Sequence, residues 1–373
     1  MFDRQIERME RVGSMIDCDV HVQITDVEQI LQFVEPAERD WFRNASFTLG
    51  LPDYPWPNPS TWFRTDLAVD ETGVPGGNPQ TVAKEVLDDQ GAEIGILTAD
   101  DALSVGLMAN PYRAATVARA HNDWFREIWF PADDRFRGSI IVPSQDPVAA
   151  VAEIERCAAD PRFVQVLLSG GSERPYGDPR YLPILEAAAA HGLAVAVHSG
   201  MEGMGAAHQA SGAGTPTFYI EWHTIGSACS IMAHLVSLIS HGTFKRVPDL
   251  KVLLIEGGVA WLPGMMWRLD TNWRGLRDDT PWVDRLPSEI MQESIRFATQ
   301  PLEHTNGNDE LLMQMLAAVG APDILCYASD YPHWDGDEPS YFERRLPESW
   351  RQGVMHDNAV KFYGNRLNLP IAK

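Results

Sequence analysis

Basic residues are scarce in this chain of 373 residues. Thirty lysines and arginines stand against 52 aspartates and glutamates, a formal net charge of -22. No basic stripe runs through the sequence, which excludes the electrostatic footprint of a nucleic-acid binder, and an anionic membrane surface would repel such a protein. No run of about 18 apolar residues stands out, so no transmembrane helix is expected. The four cysteines, Cys18, Cys157, Cys229 and Cys326, form no Cys-x-x-Cys pair. Free thiols in a reducing cytoplasm are therefore expected. The N-terminus, MFDRQIERMERVG, lacks the apolar core of a signal peptide.

What the chain does have is a 45% apolar content, enough for one large core, and a regular alternation. Short apolar runs lie at Met15–Val22, Ile94–Thr98, Phe136–Val142, Val164–Leu168, Ala194–His198, Val252–Glu256, Ile295–Thr299 and Ile324–Ser329. Most are continuous rather than alternating, as parallel strands buried on both faces are. Between and after them lie helical patterns at Gln80–Asp89, Tyr112–Trp129, Pro147–Cys157, Leu182–His191, Ile225–Phe244, Trp261–Trp273, Glu310–Val319 and Pro347–Tyr363. Eight strand–helix alternations predict a single α/β domain, a (β/α)8 TIM barrel, with an open doubly wound sheet as the competing arrangement. Residues 1–13 carry Ile6, Met9 and Val12 on one side, the pattern of a short amphipathic helical extension. It could plug the barrel bottom or dock on another subunit, so a homo- or hetero-oligomer is expected. Two connections exceed plain turns: 23–77, rich in Trp, Phe and Pro, and 199–224, rich in Gly, Ala and Met. Both follow strands, which places them on the face where barrel active sites form.

The chemistry concentrates at strand ends. Asp19 and His21, two apart on the first strand, project to the same side. The fifth strand ends at His198, the sixth at Glu256 and the eighth at Asp330. A charge closing an apolar strand needs a partner or a metal. Imidazoles and carboxylates converging at one barrel mouth suit Zn, Mn or Fe. Asp19, His21, His198, Asp330 and Glu256 are the candidate ligands. Asp330, Glu256 and His223 are the candidate catalytic residues. His223 and His234 are eleven residues apart, which puts them on one face of a continuous helix, and with His333 they are candidates for a second ion or for supporting the first. Gln300, Arg174 and Arg64 are candidates for holding a small-molecule substrate, the arginines by gripping a carboxylate.

These motifs resemble the amidohydrolase superfamily. More narrowly, they resemble its amidohydrolase-related branch, which includes aminocarboxymuconate-semialdehyde decarboxylase and the resorcylate decarboxylases. Asp19-Val20-His21 is similar to the branch's strand-one pair, His198 to its strand-five ligand, and Ser329-Asp330-Tyr331-Pro332-His333 to its strand-eight motif. The resemblance implies a metal-dependent hydrolase or decarboxylase. Two departures stand out. The fourth strand, Val164-Gln165-Val166-Leu167-Leu168-Ser169, has no lysine to bridge two metals, and Glu256 stands where the branch usually places a histidine. Glu256 is then either a general base tuned by burial or a metal ligand, and direct metal contact is the expectation. Zinc is expected for one ion. A manganese or iron pair is expected if the carboxylate-rich set holds two, as in a dinuclear oxygenase similar to 2-aminoisobutyrate hydroxylase. A non-catalytic barrel within a complex is the third reading.

Overall fold

The computed structural model describes residues 14–44, 63, 64, 67, 73–205, 207, 213, 214 and 216–367. The predicted N-terminal extension and much of both long loops lie outside these residues. The strands are β1 (Met15–Val22), β2 (Ala92–Ala99), β3 (Phe136–Ile141), β4 (Phe163–Ser169), β5 (Ala194–His198), β6 (Val252–Ile255), β7 (Ile295–Ala298) and β8 (Leu325–Cys326). They form one sheet in sequence order, every neighbour pair parallel. The chain after β8 returns to β1: Cys18 N–H donates to Tyr327 O at 3.0 Å and His21 N–H to Tyr331 O at 2.7 Å. This closes the barrel and leaves the open sheet without support.

Two cores follow from strand alternation. In β5, Ala194 and Ala196 face the barrel interior, while Val195 and Val197 pack against the outer helices. The interior is filled by small and branched residues such as Ile16, Ile94, Ala196 and Ile255, with Phe362, Tyr363 and Leu367 from the C-terminal segment packed among them. Strand β1 breaks its own alternation. Its register slips between Asp17 and Val20, so Ile16 and Cys18 sit in the interior core while Val20 and Val22 face the helices. The slip leaves Asp19 and His21 on the mouth side and sends Asp17 elsewhere. Asp17 Oδ1 accepts from the amides of Asp19 and Ser329, bracing β1 against the segment after β8.

Several crossover helices open on an Asn-Pro or Asp-Pro pair. Asn78, Asn110 and Asp146 each accept two amide protons of the first turn, and proline occupies the position where no N–H is needed. The β5–β6 crossover, Tyr219–Ser240, starts earlier than the predicted Ile225. Glu221 Oε2 accepts from the Thr217 and Phe218 amides at 2.8 Å each and fixes the helix start there. This helix is long and apolar enough, by length and composition, to cross a membrane, which corrects the expectation that none would be. Its apolarity serves the barrel: Ile231, Leu235 and Leu238 are buried in the outer core.

His234, on the same helix, is a core residue and not a ligand. Its Nδ1 accepts from Tyr176 N–H at 3.2 Å and its Nε2–H donates to Gly170 O at 2.8 Å, with its ring stacked on Tyr176. Both nitrogens are spent, and only the neutral imidazole satisfies both bonds. Burial accordingly lowers His234 to about 4. The unfolded chain binds this proton below about 6.5 and the folded chain only below about 4. Stability is therefore complete above pH 6.5 and is lost as pH falls toward 4, on the order of 3 kcal/mol from this group. Thermal melts between pH 7 and 4 are expected to show Tm falling, with a shallower fall in His234→Gln. Equal slopes would sink the assignment.

Candidate metal centre

Four strand ends meet at the C-terminal mouth. Ligand atoms of Asp19, His21, His198 and Asp330, all buried, lie within 4.8 Å of one another. The predicted quartet is therefore in place. Its hydrogen bonds settle the tautomers. His21 Nδ1–H donates to Asp100 Oδ1 at 2.5 Å, and His198 Nδ1–H donates to Ser199 O at 2.5 Å. Each imidazole thus turns an Nε2 lone pair inward, and the two Nε2 atoms are 3.0 Å apart. Asp19 Oδ2 is 3.3 and 3.2 Å from them, and Asp330 Oδ1 is 3.1 Å from that of His21. Four electron-pair donors converge with no proton of their own between them, an arrangement that fits a divalent cation. Without one, protons must fill the gap. Burial disfavours a charged His198, yet the carboxylates of Asp19 and Glu256 carry it up to about 9. Burial likewise opposes ionisation of Asp19, but the two imidazoles hold its carboxyl far below the usual carboxylate range.

The quartet is held from outside. Thr98 Oγ1 donates to Asp19 Oδ1 at 2.6 Å. Gln300 Nε2 donates to Asp330 Oδ2 at 2.8 Å, and His333 Nδ1–H to Asp330 Oδ1 at 2.7 Å. Gln300, expected at the substrate, and His333, expected beside the metal shell, thus both hydrogen-bond Asp330. Asp100 reaches both histidines, at 2.5 Å to His21 Nδ1 and 3.3 Å to His333 Nε2. Asp100 was missed in the sequence, although the end of the second strand, Thr98-Ala99-Asp100-Asp101, carries the same signal of charge closing an apolar run. Asp100→Ala is expected to weaken metal binding about 10–100-fold, read by chelator competition. Unchanged affinity would remove Asp100 from the centre.

Glu256 falls outside the quartet. The chain turns sharply there, with Glu256 at φ 58°, a left-handed conformation uncommon for a non-glycine residue. Asp330 shares it, at φ 56°. Glu256 Oε2 accepts from Ser199 Oγ at 2.8 Å and lies 3.4 Å from His198 Nε2. Burial first, and then the charge of Asp330, push its carboxyl up to about 7. It groups instead with His223 and Asp335, whose ligand atoms with its own also lie within 4.8 Å of one another. Asp335, five residues past Asp330, was not anticipated.

Above the quartet lies a cavity of about 130 Å³ with Tyr219, Trp222, His223 and Trp334 in its wall. Neither predicted arginine lines it. Arg174 is carried outward by the turn after β4 and pairs at the surface with Asp178. Arg64 lines an adjoining cavity and is ion-paired with Glu338.

The chain is similar to known proteins in sequence and in fold. The chain is 27% identical over 294 residues to a gamma-resorcylate decarboxylase of Polaromonas sp. (strain JS666), covering 74% of this chain and 85% of that one. A crystal structure of a dihydroxybenzoic acid decarboxylase from the same bacterium, with bound manganese and the inhibitor 2-nitroresorcinol, superposes with a TM-score of 0.63 at 21% identity over 95% of this chain and 98% of that chain. An amidohydrolase from Mycobacterium avium subsp. paratuberculosis superposes with a TM-score of 0.72 at 20% identity over 95% and 99%. None of these is an oxygenase, and the dinuclear oxygenase alternative gains no support from them. A family model described as amidohydrolase matches residues 16–365, a span that runs from the first strand past the last and contains all four converging ligands, so the chain belongs to the amidohydrolase family.

Proposed function

We propose that the protein is a metal-dependent decarboxylase of a small, ring-sized or shorter carboxylic acid. The observation that carries this reading is the convergence of four proton-free donor atoms at the floor of an aromatic-walled cavity, with a carboxyl poised near neutrality in its wall. Asp19, His21, His198 and Asp330 would hold one divalent ion. Two imidazoles suit zinc and two carboxylates suit manganese, and the manganese of the Polaromonas structure supports the latter as an equal candidate. When bound, the ion supplies Lewis-acid stabilisation of negative charge on the substrate oxygens.

The protein's own residues divide the remaining work. His333, Gln300 and His21 keep Asp330 ionised and oriented. Glu256, with its raised pKa, holds the proton that the substrate carbon takes up. The carbon–carboxyl bond breaks, CO2 leaves, the electron pair stays on the carbon, and the Glu256 proton forms the new C–H bond. Solvent then reprotonates Glu256. Tyr219, Trp222 and Trp334 flank the organic part of the substrate and limit access of water.

Incubating the metal-loaded protein with 2,6-dihydroxybenzoate and with aminobenzoates, and measuring CO2 release, tests this reading. CO2 from none of them, alongside turnover of amide or ester analogues, would replace it with metal-assisted hydrolysis, the sister chemistry of the family. We also propose a cytoplasmic location, from the cysteine usage, and an oligomer. The exposed Trp267, Leu276 and Trp282 support the second, and light scattering tests it.

A further inference from the structure

The substrate cavity has an unusual charge balance for a site that would take a carboxylic acid. Among the described residues three carboxylates line it, from Asp100, Glu256 and Asp335, and no lysine or arginine does. Residues 45–62, 65–77 and 199–218 contain neither lysine nor arginine. Arg64, between the first two of these stretches, faces Glu338.

The carboxylates differ in how they are matched. Asp100 is engaged by His21 and His333, and Asp19 and Asp330 belong to the quartet. Glu256, 3.4 Å from His198 Nε2, and Asp335 remain. Asp335 Oδ2 is buried and receives no hydrogen bond among the described residues. Its nearest basic neighbour, His223 Nε2, is 3.4 Å away, within ion-pair distance but without hydrogen-bond geometry. Glu256 takes one hydrogen bond, from Ser199.

The rest of this wall is aromatic. Tyr219 and Trp222 have ring centroids 5.7 Å apart, and Trp334 lies 5.6 Å from His223. Aromatic faces attract cations through their quadrupoles and repel anions. The Asp335 carboxylate beside such faces, with no lysine or arginine among the described lining residues, forms a recognition site for an organic ammonium group.

We propose that the substrate carries a positively charged amino group that docks on Asp335, against Trp222 and Trp334, while its carboxylate faces the quartet. The substrate class is then a small amino-carboxylic acid, zwitterionic at neutral pH, rather than a simple hydroxybenzoate. The carboxylate end of this assignment rests on the decarboxylase reading above. The ammonium end stands on the outer wall alone.

The test uses the metal-loaded full chain and three one-ring probes of similar shape: benzylamine, which is charged at pH 7, benzyl alcohol and benzoate. Binding is followed by tryptophan fluorescence and calorimetry, with metal content measured on the same samples. Benzylamine is expected to bind at least about tenfold more tightly than benzyl alcohol. In Asp335→Asn that preference is expected to fall toward unity, with metal content unchanged. The wild-type comparison decides the matter even if the variant fails to fold. Equal affinities of benzylamine and benzyl alcohol, or tighter binding of benzyl alcohol, to the wild type would overturn the proposal. So would a second metal ion per chain that is lost in Asp335→Asn, because the outer carboxylates would then serve that ion. Benzylamine preference without CO2 release from any carboxylate would uphold the ammonium site while sinking the decarboxylase reading, so the two failures are separable.

Discussion

Replacing Asp330 by asparagine is expected to strip the bound ion and to lower kcat by about 10³-fold or more, since a catalytic ion supplies several kcal/mol and each 1.4 kcal/mol is tenfold. The substitution keeps shape and removes charge. Asp330 Oδ1 stands 3.1 Å from His21 Nε2 and accepts from His333, while Oδ2 accepts from Gln300. A carboxamide offers one acceptor where the centre needs two. Its NH2 group must point at the donor of Gln300 or into the converging lone pairs. One buried donor is left unmatched in the first case, at about 1–3 kcal/mol, and one ligand is lost in the second. Elemental analysis and turnover on the same preparation check this. A variant that keeps one ion per chain and its activity would remove Asp330 from the centre, and with it the quartet.

The quartet was legible because parallel strands end on one face, so that charges closing apolar runs far apart in sequence must meet. Asp19, His21, His198 and Asp330 come from β1, from β5 and from just beyond β8, and barrel closure alone brings them together. Spacing within a helix was a poorer guide. His223 and His234 do share a helical face, but eleven residues at 1.5 Å each separate them by about 16 Å along the axis. One reaches the mouth and the other the turn after β4. A shared face is not a shared site when the helix runs along the barrel wall. Arg174 failed for a related reason: five residues past Ser169, the turn after β4 carries it outward to pair with Asp178. Asp335 escaped notice because nothing in the sequence marks how the chain folds back after Asp330, where Asp337 N–H donates to Ser329 O at 2.9 Å and closes a compact loop. The register slip in β1 also has no sequence signature. Strict alternation would have grouped Asp17 with Asp19 and His21.

Glu256→Gln is expected to keep the metal and lose about 10²–10⁴-fold in kcat. From sequence, a carboxylate at the end of the sixth strand is as good a ligand as any other, and it needs no pKa tuning to bind a cation. In the fold, the left-handed turn at Glu256 swings its carboxylate beside Ser199 and the outer cluster rather than among the four converging donors. Burial and the Asp330 charge then raise its carboxyl to about 7, so near neutral pH it exists in both forms and can donate a proton and recover it. Two carboxylates in one site thereby take opposite roles, Asp330 ionised and Glu256 protonated, because their surroundings push their pKa values apart. The required form of Glu256 is the acid, so kcat should hold at lower pH and fall as pH rises through about 7. In Glu256→Gln that limb should vanish along with most of the activity. Glutamine preserves the hydrogen bond to Ser199 and the volume, so a folding defect would not explain the loss. Loss of about half the bound metal in this variant would instead restore Glu256 as a ligand. A wild-type pH limb surviving in Glu256→Gln would assign the proton to another group, of which His223, 3.4 Å from Asp335 at the same wall, is the first candidate.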